Sequence, residues 1–339
     1  MRARLWLAGL TVVVVGVMLS ARGAVIPVNA VAAADQAAAA GQVSGRWTAK
    51  TQPEWKGHDV VPRLQLSLRT GDERDHWGFG VPIADLTDLP DAAREGTVTE
   101  ARFTLTREAG AFRFTGSFDR GQGAGTFAFL PSSAYVTGMA QLGCRNLPTE
   151  QLMRLAVLDV TTAFTRDLRD AGQTNLALED LTRMKIHGAT GAVVRGFQAA
   201  GLGTLAPDDV VRLRIHGVTT EFIAGLTSRN YTGLAADDYT RMRIHGVTLA
   251  EIDALSGAGL RGLSADDLVR FRIHEVRPEF IREMRALGFT NADEDDFVKM
   301  RIHKVDAAFV REARADGLQV TTADDAVDLA IHGRRWRRR

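Results

Sequence analysis

Six histidines recur at one interval. His187, His216, His245, His274, His303 and His332 stand 29 residues apart, each directly after an isoleucine (Ile186, Ile215, Ile244, Ile273, Ile302 and Ile331). Imidazole is the commonest metal ligand, so such a series invites a metal reading. Distance argues against it. Equivalent residues of stacked helical repeats lie about 10 Å apart, whereas zinc holds nitrogen ligands at about 2.1 Å. No second histidine or cysteine stands close in sequence to any of the six. The expectation is structural: each imidazole ends a helix, where it can hydrogen-bond the last carbonyls and complement the helix dipole. A surface recognition row is the alternative.

Other groups with chemical potential are sparse. His58 and His76 stand near Asp59, Asp72, Glu73 and Asp75, a set suited to ion binding or acid–base work. Charges clustered in a turn are more simply read as solvated. The chain has no His-Glu-x-x-His, Gly-x-Ser-x-Gly, Gly-rich phosphate loop or Cys-x-x-Cys, so no catalytic, cofactor-binding or metal-ligating residue is assigned and the expectation is a non-enzyme. Cys144, the single cysteine, shares a repeat column with Leu202, Leu260, Phe289 and Leu318 and reads as a small buried apolar residue.

Charge forms columns too. Lys185, Arg214, Arg243, Arg272 and Arg301 each precede a histidine by two residues. This column reads either as a solvated face or as a ladder for anionic polymers and head groups. Glu150/Arg154, Glu179/Arg183, Asp208/Arg212, Asp237/Arg241, Asp266/Arg270 and Asp295/Lys299 place acid four residues before base, the favourable order within one helix. The tail Arg334-Arg335-Trp336-Arg337-Arg338-Arg339 suits an anionic, partly apolar surface such as a lipid head-group layer, a lipopolysaccharide glycan or nucleic acid, or serves as a solubilising end. Of the 42 basic residues three lie in the first 34 positions and five in the tail, against 41 acids elsewhere. The body is therefore mildly acidic, which argues against a nucleic-acid partner.

These residues need elements to position them. Met1–Ala34 has the basic start, apolar run and small-residue end of an export signal. Its apolar run, Leu5 to Leu19, is short of the roughly 20 residues a full span needs. Cleavage is therefore expected, with a membrane-associated form if the segment stays. Residues 35–44 read as a tether. Residues 45–131 alternate apolar and polar positions, as in Arg63–Arg69 with Leu64, Leu66 and Leu68 on one face. They predict a small antiparallel β domain of about six strands, with a helical turn near Ile83–Leu89. Trp47, Trp55 and Trp77 are expected in its core, with a carbohydrate or lipid cleft as the other reading.

Residues 132–333 predict an α-solenoid of two-helix repeats: a half unit, six full units from Leu147, Leu176, Leu205, Leu234, Leu263 and Ala292, and a closing half unit. In Leu263–His274 the stripe Leu263, Leu268, Phe271 and Ile273 is expected to face inward. Thr161, Thr190, Thr219, Thr248 and Asp306 are expected to cap second helices. Pro278 starts the one helix preceded by Arg277. Gly143, Gly172, Gly201, Asn230, Gly259, Gly288 and Gly317 are expected to close them in the left-handed conformation.

The unit from Asp266-Asp-Leu-Val-Arg-Phe-Arg-Ile-His to Leu287-Gly288 resembles short helical repeats of uncharacterised exported bacterial proteins. It is similar as well to accessory extracytoplasmic repeats of some membrane zinc peptidases of the β-lactam-sensor type. Trp77-Gly-Phe and Gly123-Ala-Gly-Thr-Phe-Ala-Phe129 look like the β module that often precedes such repeats. The resemblance covers architecture; the peptidase's zinc motif is not in this sequence. The expectation is an α+β protein, exported to a periplasmic or extracellular location, that binds an envelope protein partner. The alternatives are attachment to anionic lipid or glycan through the arginine tail and the basic column, or a role as accessory or regulatory partner of a membrane peptidase sensor.

Overall fold

The computed structural model describes residues 43–56, 59–71, 76–91, 93 and 98–336. The chain divides into two compact units after Pro131.

The first unit is one antiparallel, half-barrel sheet. Its strands are β1 (Val43–Lys56), β2 (Asp59–Thr70), β3 (His76–Pro82), β4 (Leu86–Thr87), β5 (Thr99–Arg107), β6 (Gly110–Asp119) and β7 (Gln122–Pro131). Their spatial order is β3-β2-β1-β7-β6-β5-β4. β1 begins inside the segment read as tether. The seventh strand, β4, is a two-residue edge strand that follows a single 3₁₀ turn at Ile83–Asp85, in the stretch expected to be helical.

Alternation along each strand sends Leu64, Leu66, Leu68, Phe103, Leu105, Phe112, Phe114, Phe127 and Phe129 into one core, each at most 2% exposed. Cross-strand register pairs Leu68 with Trp47, Phe103 with Phe114, and Phe112 with Phe129. Trp47 sits among Phe103, Phe118 and Phe114, with centroids 5.3, 5.4 and 5.9 Å away. Its indole N–H donates to the Thr115 carbonyl at 3.2 Å. Gly116 faces Gly125 across β6 and β7, and a Cβ on either would fall within 2.2 Å of a carbonyl oxygen on the other strand. That close approach needs glycine at both positions.

The second unit is helical throughout. α1 (Ser133–Gln141) stands alone and is followed by six pairs: α2 (Thr149–Val157) with α3 (Thr162–Asp170), α4 (Leu178–Ile186) with α5 (Gly191–Phe197), α6 (Pro207–Ile215) with α7 (Thr220–Thr227), α8 (Ala236–Ile244) with α9 (Leu249–Gly257), α10 (Ala265–Ile273) with α11 (Pro278–Ala286), and α12 (Glu294–Ile302) with α13 (Ala307–Ala315). α14 (Ala323–Trp336) closes the series. Helices pack on their next-but-one neighbours, α4 on α6 and α6 on α8 in one layer, α9 on α11 and α11 on α13 in the other.

Helices of nine residues are unstable alone. Repeated buried columns hold these: Leu155, Met184, Leu213, Met242, Phe271 and Met300 from the first helices, and Leu168, Phe197, Leu226, Leu255 and Met284 from the second.

Helix ends follow the sequence signals. The Thr161, Thr190, Thr219, Thr248 and Asp306 side chains each accept from the amide three residues on, at 2.8–3.3 Å. Arg277 makes no cap bond, and Pro278 takes the first turn. The glycine column and Asn230 are left-handed. First helices end in the same way. In α6 the amide of Val218 donates to Leu213 O at 2.9 Å and that of Gly217 to Arg214 O at 3.2 Å, a Schellman motif. Gly188, Gly217 and Gly246 supply its left-handed residue, but Asp159, Glu275 and Lys304 take that role elsewhere with φ of 54°, 55° and 59°.

Candidate functional site

The surface of the array is built by columns, and the structure separates those that join units from those that do not. The acid–base column joins them. Within a helix the base pairs with the acid three residues back, as in Arg212–Asp209 (2.5 Å) and Arg270–Asp267 (3.2 Å). The acid four residues back instead pairs with the preceding unit. Arg183 meets Asp208 at 2.7 Å, Arg212 meets Asp237 at 3.6 Å, Arg270 meets Asp295 at 2.5 Å, and Arg241 pairs with Asp266. The expected pairing within one helix is thus replaced by a ladder between helices. Side-by-side stacking brings the next unit's first turn alongside, and the acid three residues back is the nearer partner within the helix.

The ladder's arginines reach forward to the next unit, whereas the basic column reaches back toward the preceding one. Arg272 donates from Nε to the His245 carbonyl at 3.0 Å, and Arg301 to that of His274 at 3.3 Å. Each guanidinium satisfies a carbonyl that the preceding helix leaves open. The same side chains cover the residue 21 positions earlier. Lys185 lies over Phe164 (5.3 Å), Arg243 over Phe222 (5.2 Å) and Arg301 over Phe280 (5.4 Å). Arg272 finds Glu251 there and forms an ion pair of 3.3 Å. Arg214 lies against Gly188, where a Cβ would come within 3.5 Å of its guanidinium. In the second layer Gln198 and Arg314 donate to the Ala171 and Leu287 carbonyls at 2.9 and 2.8 Å.

The isoleucine–histidine column differs from both. Each histidine from His187 to His303 is the C-terminal cap residue of a first helix through its backbone amide, as His245 N to Arg241 O at 3.0 Å. The expected imidazole–carbonyl bond does not form; at His245 and His274 an arginine of the next unit bonds the histidine's own carbonyl instead. Among the described residues no side chain hydrogen-bonds or ion-pairs with any of the six imidazoles. His187, His216, His245 and His274 are partly exposed, and His303 and His332 are exposed.

The isoleucines correct an expectation. Ile273, placed by its helical stripe in the core, is 52% exposed, and Ile215, Ile244, Ile302 and Ile331 lie between 48% and 54%. Their position explains the miss: Ile273 stands two residues past the buried Phe271 and one turn past the buried Val269, on the shoulder of the helix. The constancy of Ile beside His in six units was the available signal.

Elsewhere the groups do not converge. Trp47 is core, Trp77 is half-buried, and the side chain of Trp55 lies outside the described residues. His76 is exposed and hydrogen-bonds Ser67. His58, Asp72, Glu73 and Asp75 lie outside the described residues, as do Met1–Ala34 and Arg337, Arg338 and Arg339. Arg334, Arg335 and Trp336 continue α14 past Ile331, where the other first helices with this column stop. Cys144 is half-buried, and burial pushes its thiol above the ordinary value against the opposing pull of Arg169. Among the described residues no three His, Cys, Asp or Glu side chains gather as a metal site, and no helix is long and apolar enough to cross a membrane. No protein-family model, curated protein or solved structure matches the chain.

Proposed function

We propose that this chain is a non-catalytic, exported scaffold that binds a protein partner in the cell envelope through the surface of its helical array. The observation that carries the reading is the division of labour among the columns. The charged columns tie unit to unit, while one apolar column repeats at the surface with about half of each side chain exposed. A stack of repeats offers a partner many equivalent contacts rather than one pocket. Export rests on the signal-like pattern of Met1–Ala34, and the resemblance of the repeats directs the first search to membrane peptidase sensors.

Proximity labelling from the full-length chain in living cells tests this. Labelling of envelope proteins, reproducible and competed by unlabelled chain, is the expected result. Labelling confined to cytosolic proteins would overturn it. A second reading, attachment to anionic lipid or glycan, is favoured by the continuation of α14 into Arg334, Arg335 and Trp336. It predicts retention on anionic vesicles that falls with salt and disappears when residues 334–339 are removed. Retention unchanged by that truncation would exclude the tail as the anchor.

A further inference from the structure

We propose that the isoleucine–histidine row is a docking strip for an extended, polyproline-like peptide segment carrying an apolar residue at every third position. The inference rests on the scaffold reading and names the surface and the class of partner. Three observations lead to it.

The first is a contrast between columns of one array. The outward-facing column of the second helices runs Arg166, Arg195, Ala224, Asp253, Arg282 and Arg311, drifting between opposite charges and none. The Ile–His pair recurs unchanged in six of the seven first helices, the first having Val157 and Leu158 there, although it too faces outward and its imidazoles bond no side chain among the described residues. An exposed isoleucine gains nothing from water, so the recurrence of one pair in six of the seven first helices points to a ligand.

The second is width. Five half-exposed isoleucines leave roughly 400 Å² of apolar surface, about half of what each partner buries in a standard interface. The salt-bridge ladder Arg183–Asp208 to Arg270–Asp295 runs along the same helices, its charges already paired. The strip is one residue wide, which suits a single extended chain better than a second globular surface.

The third is period. Stacked helices repeat every 8–10 Å or so. A polyproline II chain turns once every three residues, about 9.3 Å, and presents one side chain per turn to the same side. A β-strand repeats on one face at about 6.7 Å and falls out of step after one unit. A helix could match at every seventh residue, but its backbone groups are internally bonded. Polyproline II leaves its carbonyls free, and these are what a row of imidazole N–H donors can hold.

The test uses the full chain and a labelled peptide of about 15 residues repeating Leu-Pro-Gln, followed by fluorescence anisotropy. A peptide of the same composition with its leucines gathered at alternate positions of one half is the comparison. The expected result is binding at least about tenfold tighter for the period of three. A variant with Ile215→Ser, Ile244→Ser and Ile273→Ser should lose it, each replacement costing about tenfold. The pair His245→Ala and His274→Ala should weaken it less. Because these side chains face solvent, an unchanged thermal melt shows that the variants fold.

Equal binding of both peptides, retention by the serine variant, or no binding to either peptide overturns the proposal. So does concentration-dependent self-association that the serine variant loses, since the strip would then pair with a second copy. If the serine variant still labels the same envelope partner, the strip fails and the scaffold reading stands. If the intact chain labels none, the scaffold reading itself fails.

Discussion

In the β unit Trp47 meets rings from β5 and β6, strands far away in sequence, and the whole aromatic core depends on that meeting. In the array helices pack on their next-but-one neighbours, and ties such as Arg270 to Asp295 span one unit boundary. The β unit therefore has a single centre, and the array has many small ones. The difference teaches where function can sit. A surface built from equivalent units tolerates a change in one of them, whereas a sheet around one core does not.

The largest expected effect probes the single centre. Trp47→Ala removes a fully buried indole and its hydrogen bond to Thr115, and should cost about 3–5 kcal/mol. Thermal unfolding followed by circular dichroism should then show the β signal melting early while the helical signal keeps its midpoint. A parallel loss of both would erase the contrast between the two units.

Thr219→Ala probes one of the many centres. It removes the oxygen that accepts from Phe222 N at 3.2 Å, at a cost of about 1 kcal/mol. Hydrogen exchange should quicken in α7 and its immediate neighbours and remain unchanged in α13. Uniform loss of protection along the array would show that its units unfold as one.

The next effect is a gain. Lys304 holds φ of 59° at the position where Gly188, Gly217 and Gly246 end equivalent helices. A left-handed conformation costs a non-glycine residue about 1–2 kcal/mol, partly offset by glycine's greater freedom when unfolded. Lys304→Gly should stabilise the α12–α13 unit by about 0.5–1 kcal/mol in chemical denaturation. A loss of stability would mean that the lysine side chain contributes to the turn.

Much of this organisation was legible in the residues. The Thr/Asp and Gly/Asn columns marked both ends of the second helices because caps are local chemistry, and Leu64, Leu66 and Leu68 marked a strand by alternation. The unit-to-unit ladder was not legible. Asp266 lies four residues before Arg270 and 25 after Arg241, and sequence spacing favours the near partner, while stacking delivers the far one. Ile273 failed for a related reason, since helical periodicity cannot fix the edge of a buried stripe to within one residue. The cover of Phe164, Phe222 and Phe280 by a cation 21 residues on had a visible signature, with Glu251 at the one position where an ion pair forms instead.

The smallest expected effect concerns α14 and acid. The Asp325 carboxylate accepts from the Thr322 amide at 2.9 Å and from the Thr321 amide and hydroxyl at 3.1 and 2.9 Å, which holds it below the usual aspartate range. A carboxyl group whose folded value is depressed stabilises the fold fully above its unfolded value and loses that contribution as pH falls through the folded one. Exchange protection of the first turn of α14, including the Ala326 amide that donates to Thr322 O, should be flat above about pH 5 and decline below about pH 4. Asp325→Asn should flatten that dependence and leave α7 unaffected, as expected of units that carry their own caps. Protection that fell equally in both helices would mean that acid acts on the array as a whole, and the contrast with the β unit would then rest on geometry alone.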